Sequence, residues 1–235
     1  MSDFIVWPKS VLTPSGCNFI KESFSRTGGT SLENSETITR TSVGKWRAEI
    51  GPVFVHSVNQ FRVWRAIDTY LGGRAGLIAV PAHEKFSAPY VSDAVTEPDL
   101  STHSDGSTFS DGSKYRTRSI DLKMSTAAAL GATIVSIQAV NAGSDLTGIR
   151  FSYQYALYET GELIAKNGDI WQMRIFPAIR QAIPAGADLE SDDPMCLMKL
   201  ETDTGMQLPE DPSRVSSQTV RFVEAVDYWN DLASA

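Results

Sequence analysis

The chain has only two cysteines and three histidines in 235 residues, which leaves little for most of the chemistries a sequence can announce. Cys17 and Cys196 are far apart with no CxxC spacing, so neither a disulfide framework nor a zinc site is indicated, and both read as reduced thiols in a packing role. His56, His83 and His103 are dispersed. None lies one helical turn from another, so a shared metal site could arise only by tertiary convergence. The GxSxG elbow, HExxH, the glycine-rich dinucleotide fingerprint and Cys-His signatures are all absent. Basic residues are also scarce: 21 Lys and Arg against 28 Asp and Glu give a formal net charge of -7. Phosphate contacts need a clustered excess of Lys and Arg, so specific nucleic-acid binding is not expected. There is no apolar run of about 18 residues, and the N-terminus, MSDFIVWPKSVLTPSG, lacks a charged-then-apolar signal pattern. We expect no membrane segment and synthesis in the cytoplasm.

What is present is ordinary globular composition, 42% hydrophobic and 21% charged, which predicts a folded chain of one large or two smaller domains. The clearest helix lies in 57-SVNQFRVWRAIDTYLGG-73, where Val58, Phe61, Trp64, Ile67 and Leu71 recur at helical spacing. Ser57 is its N-cap and Gly72-Gly73 its stop, giving a helix over 57–72. Most other segments read as strands. In 150-RFSYQYALY-158 the alternation places Phe151, Tyr153, Tyr155 and Leu157 on one face, and in 169-DIWQMRIF-176 it groups Trp171, Met173 and Ile175. The stretch 218-QTVRFVEAVDYW-229 aligns Val220, Phe222 and Val226, and 36-ETITRTSVGKWRAEIG-51 reads as two strands around a turn near Gly44. A short apolar run, 77-LIAV-80, ends at Pro81. The sum is a mainly β chain with one prominent helix.

Residues 81–118 are rich in Ser, Asp, Gly and Pro and read as a connection between parts. Within them, 103-HSDGSTFSDGSKY-115 repeats Ser-Asp-Gly-Ser. A calcium loop needs more ligands and a closing Glu, and a phosphate cradle needs GxxxxGK[ST], so two consecutive Asp-Gly turns are the simpler reading. Residues 184–194, with Asp192-Asp193, read as a solvated acidic loop rather than an acid/base pair. The tyrosines Tyr153, Tyr155 and Tyr158 read as sheet packing, with sugar or base stacking as the alternative. No catalytic residue, cofactor site or metal site emerges.

Two stretches, 46-WRAEIGPVF-54 and 60-QFRVWRAIDTYLGGRAGLIAVP-81, resemble the N-terminal part of distal tail proteins of long-tailed bacteriophages and prophages. In that family a tryptophan-containing strand precedes a helix ending in Gly-Gly-Arg, and a short apolar strand follows. Further on, 167-NGDIWQMRIFPAIRQAIPAG-186 is similar to a later pattern of the family, and 219-TVRFVEAVDYW-229 resembles its terminal strand. The four segments cover roughly half the chain in the family's order.

The resemblance implies a β-sandwich belt domain with one flanking α-helix, formed by residues 1–80 and 205–235, and an inserted small β-barrel or sandwich over 119–204. It implies a structural virion protein: a homo-hexamer at the far end of the tail tube, joining the tail-tube protein to hub and tip proteins and to the tape-measure protein, with DNA passing through the lumen and no catalysis or cofactor. Phe61, Trp64 and Ile67 would dock the helix on the sheet. Arg62, Arg65 and Arg74 would be candidate contacts between neighbouring subunits. An acidic lumen would let DNA slide, because like charge removes the attraction that phosphate neutralisation supplies. The alternatives are a tail-tube or tail-terminator ring subunit and, in a different class, a carbohydrate-binding β-sandwich module using the aromatic residues around Tyr153.

Overall fold

The computed structural model describes residues 4–30, 36–82, 88–90, 107, 110, 120–208 and 215–234. Of the expected connection at 81–118 only 81–82, 88–90, 107 and 110 are described; His83, His103 and all of the doubled Ser-Asp-Gly-Ser except Ser107 and Ser110 lie outside the described residues. The protein is mainly β, as the sequence implies, with two six-stranded sheets and two helices. The first sheet has the order β1 (Ile5–Val6), β4 (Ile78–Pro81), β11 (Met195–Leu200), β12 (Ser216–Glu224), β3 (Glu36–Val55), β2 (Cys17–Thr30). Within it only β1 and β4 run parallel. The second sheet has the order β10 (Asp188–Leu189), β5 (Asp121–Met124), β6 (Ile134–Asn141), β9 (Ile170–Phe176), β8 (Ala156–Asn167), β7 (Arg150–Tyr153).

Helix α1 (Val58–Leu71) forms where the periodicity predicts it. The Ser57 hydroxyl accepts from the Gln60 amide at 3.2 Å while Gln60 Oε1 accepts from the Ser57 amide at 3.1 Å, a reciprocal capping box. Gly72 ends the helix at φ 55°, the left-handed conformation that glycine adopts without a Cβ penalty. Trp64, Ile67 and Leu71 are buried, and Phe61 packs half-buried against the same core. Val58 is the exception to the predicted stripe: it sits in the first turn and is 67% exposed. Trp64 meets Trp7 edge to face at 6.1 Å and donates its indole N–H to the Met206 carbonyl at 2.6 Å. The helix is thereby tied to segments far away in sequence.

The second sheet curls into a nearly closed barrel. Ser152 of β7 and Glu190, just beyond β10, exchange two backbone hydrogen bonds at 2.7 and 2.9 Å across the remaining gap. Its interior holds Val135, Ile137, Trp171, Met173 and Ile175, the last three being the alternate residues of the strand predicted over 169–176.

Four sequence expectations are corrected. Residues 150–158 are not one strand but the hairpin β7–β8, which turns through Gln154 (φ 48°) and Tyr155 (φ 70°). Left-handed pairs of this kind usually contain Asn, Asp or Gly, so nothing in the sequence signals the turn. The strand over 218–229 stops at Glu224, and Val226 begins a second helix, α2 (Val226–Ser234). Gly44 is not a turn; β3 runs straight through it. Met195–Leu200 falls inside the range expected for the insertion, yet β11 lies in the first sheet between β4 and β12. It is apolar on both faces: Cys196, Met198 and Leu200 enter the core beneath α1, and Leu197 enters the barrel's core.

The two sheets share this boundary. Leu157 and Phe176 of the barrel pack into the first core, and Leu197 and Ala225 of the first sheet pack into the second. The hairpin tip is bonded across as well: the Leu197 amide donates to the Tyr155 carbonyl at 2.8 Å.

Candidate functional site

Strands β2 and β3 pair with each other from Cys17↔Ile50 out to Thr30↔Glu36. By contrast, β12 pairs with β3 only from Ser216↔Val55 to Val223↔Arg47. Beyond Arg47 the ribbon continues without a third strand among the described residues. Just beyond Gly44 the register shifts, four steps of β3 lying against two of β2, so the arm from Gly44 to Glu36 is roughly 20 Å long at the usual rise per residue. Phe24 and Ile38 on the arm are 48% and 58% exposed. On the other side of the ribbon no strand among the described residues pairs with the outer edge of β2. A two-stranded ribbon is at best marginally stable in water, and open edges are templates for pairing with another chain.

The arm's root is the most heavily braced place in the molecule. Glu224, the last residue of β12, is buried, with its side chain 1% exposed, and Arg180 from the loop after β9 is 10% exposed. They pair in a fork: Arg180 Nε donates to Glu224 Oε1 at 2.7 Å and Nη2 to Oε2 at 3.0 Å. Glu224 Oε2 also accepts from the Trp46 amide at 2.9 Å, and Arg180 Nη2 donates to the Gly44 carbonyl. The Arg180 amide donates to the Tyr158 hydroxyl at 2.9 Å. Burial, against the opposing Arg180 amide bond and with help from the Glu224 charge, pushes the Tyr158 phenol far above its ordinary value, so it stays neutral. The Cys196 thiol is pushed up for the same first reason, burial, and then by Glu224.

Around this pair the aromatic packing is close. The Phe176 ring lies edge-on to Trp46 at 5.5 Å, and a Cβ on Gly44 would collide with it. Glycine is therefore required here for close approach rather than for turning. Arg150 of β7 stacks over Phe19 and Trp46 at 5.7 and 5.4 Å and pairs with Glu159 at 3.2 Å. Glu159 in turn pairs with Lys21 of β2.

The residues singled out in the sequence fall elsewhere. Phe61, Trp64 and Ile67 join one core beneath the helix. Arg62, Arg65 and Arg74 are exposed, and the Arg74 amide donates to Asp203 at 3.0 Å. Tyr153 and Tyr155 line a cavity of about 330 Å³ together with Asp188, Glu190, Asp193 and Met195, whereas Tyr158 is buried and packs on Phe151. Asp193 is not simply solvated: it pairs with Lys9 at 2.8 Å. Among the described residues no group of three or more His, Cys, Asp or Glu could hold a metal ion, and no helix is long and apolar enough to cross a membrane.

Sequence reasoning missed the arm and the pair at its root. One signal was available: Gly44, Trp46, Ala48 and Ile50 are all buried at period two, so the alternation runs through the glycine. Nothing in sequence links Arg180 to Glu224, 44 residues on. Comparison with known proteins finds no family model and no curated protein that matches the chain.

Proposed function

We propose that the protein is a structural subunit of a phage tail, the hexameric ring at the distal end of the tail tube that joins tube to hub and lets DNA pass. The observation that carries this reading is the β2–β3 arm. It projects beyond its sheet with apolar residues exposed, while its root is fixed by buried charge and aromatic packing. Among the described residues no further strand pairs with either edge of the arm. The two open edges, the outer side of β2 and the distal side of β3, lie on opposite sides of one ribbon. Contacts between unlike surfaces repeat head to tail, and they close into a ring when the rotation allows. The tail setting comes from the sequence resemblance, whose segments include β3, α1, β9 and β12.

In this reading the protein binds tail-tube, hub and tape-measure proteins, resides in the virion and performs no catalysis. Arg62, Arg65 and Arg74 present cations to a neighbour. The test is native mass measurement of the full chain followed by imaging of assembled particles: hexameric rings docked at the tail end support the reading, and a monomer that binds glycans saturably overturns it in favour of a carbohydrate-binding module.

A further inference from the structure

Antiparallel strands expose the N–H and C=O groups of alternate residues along one edge. Trp46 and Gly44, two residues apart, face the edge of β3 that β12 covers from Val55 to Arg47. The β12–β3 ladder ends at Val223↔Arg47, although on its other edge β12 continues one step along β11, where the Ala225 amide donates to the Leu197 carbonyl at 3.0 Å. The next two backbone positions are nonetheless satisfied. The Glu224 carboxylate accepts from the Trp46 N–H, and the Arg180 guanidinium donates to the Gly44 carbonyl. A bidentate ion pair thus offers one acceptor and one donor to the stretch from Gly44 to Trp46, as a neighbouring strand would.

We infer that Arg180 and Glu224 are positioning residues for the arm: the pair substitutes for the missing strand and sets the direction in which the ribbon leaves the sheet. Arg180 belongs to the barrel, between β9 and β10, so the barrel aims the arm. Phe176, seated over Gly44 from the end of β9, acts in the same sense. The belt and the barrel are then not independent modules, and any partner that shifts the barrel shifts the arm. This inference rests on the arm being the contact between copies, but it can be tested on the unassembled chain.

The experiment is pulsed electron-spin distance measurement on spin-diluted full-length protein in a Cys17→Ser background, since Cys196 is buried. One label pair, Ile38→Cys with Val140→Cys, spans arm and barrel; a control pair, Tyr70→Cys with Val140→Cys, spans helix and barrel. All three positions are exposed. Each pair is measured with the native residues, with Arg180→Lys, which keeps a cation beside the buried carboxylate, and with Arg180→Gln/Glu224→Gln, which removes both charges together. The expected result is loss of the single narrow arm-to-barrel distance in the variants while the control distance stays narrow. Broadening of both distances would make the pair a general glue between the sheets, and broadening of neither would leave the arm aimed by something else; either result overturns the inference. Failure of the native chain to form rings, with the arm distance still dependent on Arg180, would count against the ring reading alone.

Discussion

Both sheets have six strands, but they treat their edges in opposite ways. The barrel brings β7 back to the segment after β10 and closes its last gap with two backbone hydrogen bonds. Among the described residues, nothing pairs with the outer side of β2 or the distal half of β3 in the first sheet. Closure removes the hazard of edge pairing, whereas an open edge retained on a long ribbon invites it. In the proposed reading the difference is a division of labour: the barrel closes on itself, and the first sheet offers its edge to a neighbouring copy. The Arg180–Glu224 pair, with one member from each part, joins the two.

The strongest way to break this comparison is to break the joint. Glu224→Ala should cost about 3–5 kcal/mol, because it leaves Arg180 buried without its counter-charge and strips the Trp46 amide of its acceptor. Chemical denaturation would show it as a lower midpoint. A loss no larger than that of a surface substitution would mean that water replaces the carboxylate.

Next in size is Gly44→Ala, expected to cost about 1–3 kcal/mol by overpacking against Phe176. Phe176→Leu in the same chain should recover part of it, since the collision is with the aromatic ring. If the loss came from the strand backbone instead, the second change would recover nothing.

Smaller still is the effect of acid on α2. Burial, the largest single influence, acts to raise the Asp227 carboxyl, but its hydrogen bond to Lys199 at 2.8 Å, the backbone amides of Asp227 and Tyr228 and the Lys199 charge together outweigh this, and the net result is a lowered value. A depressed carboxyl contributes stability that is present above its unfolded value and is lost as pH falls through the folded one. Asp227 is largely exposed, so Asp227→Asn should remove no more than about 1 kcal/mol at neutral pH and flatten the acid limb of a stability profile below the ordinary carboxylate range. An unaltered acid limb would assign that loss to other carboxylates.

Much of this architecture can be read from sequence where the signal is local. The apolar spacing and both caps of α1 predict the helix, and the alternation of Trp171, Met173 and Ile175 predicts β9. What could not be read depends on distant partners or on unusual local chemistry. Gln154 and Tyr155 adopt left-handed conformations without the residues that normally advertise them. Val226 prolongs the apolar alternation of β12 although the chain has already become helical. Gly44, read as a turn, is small because an aromatic ring from another part of the chain needs the space. The arm itself is polar, rich in Thr and Ser, and its role becomes visible only once the third strand is seen to end.

The account's central claim is that the open ribbon joins one copy to the next. Native mass spectrometry of the full chain beside a Phe24→Glu/Ile38→Glu variant tests it most directly. Both side chains are substantially exposed, so the monomer's stability should change by no more than about 0.5 kcal/mol for each substitution. The account predicts hexameric rings for the native chain and monomers for the folded variant. A native chain that stays monomeric at every concentration, or a variant that closes rings as readily as the native chain, would contradict it.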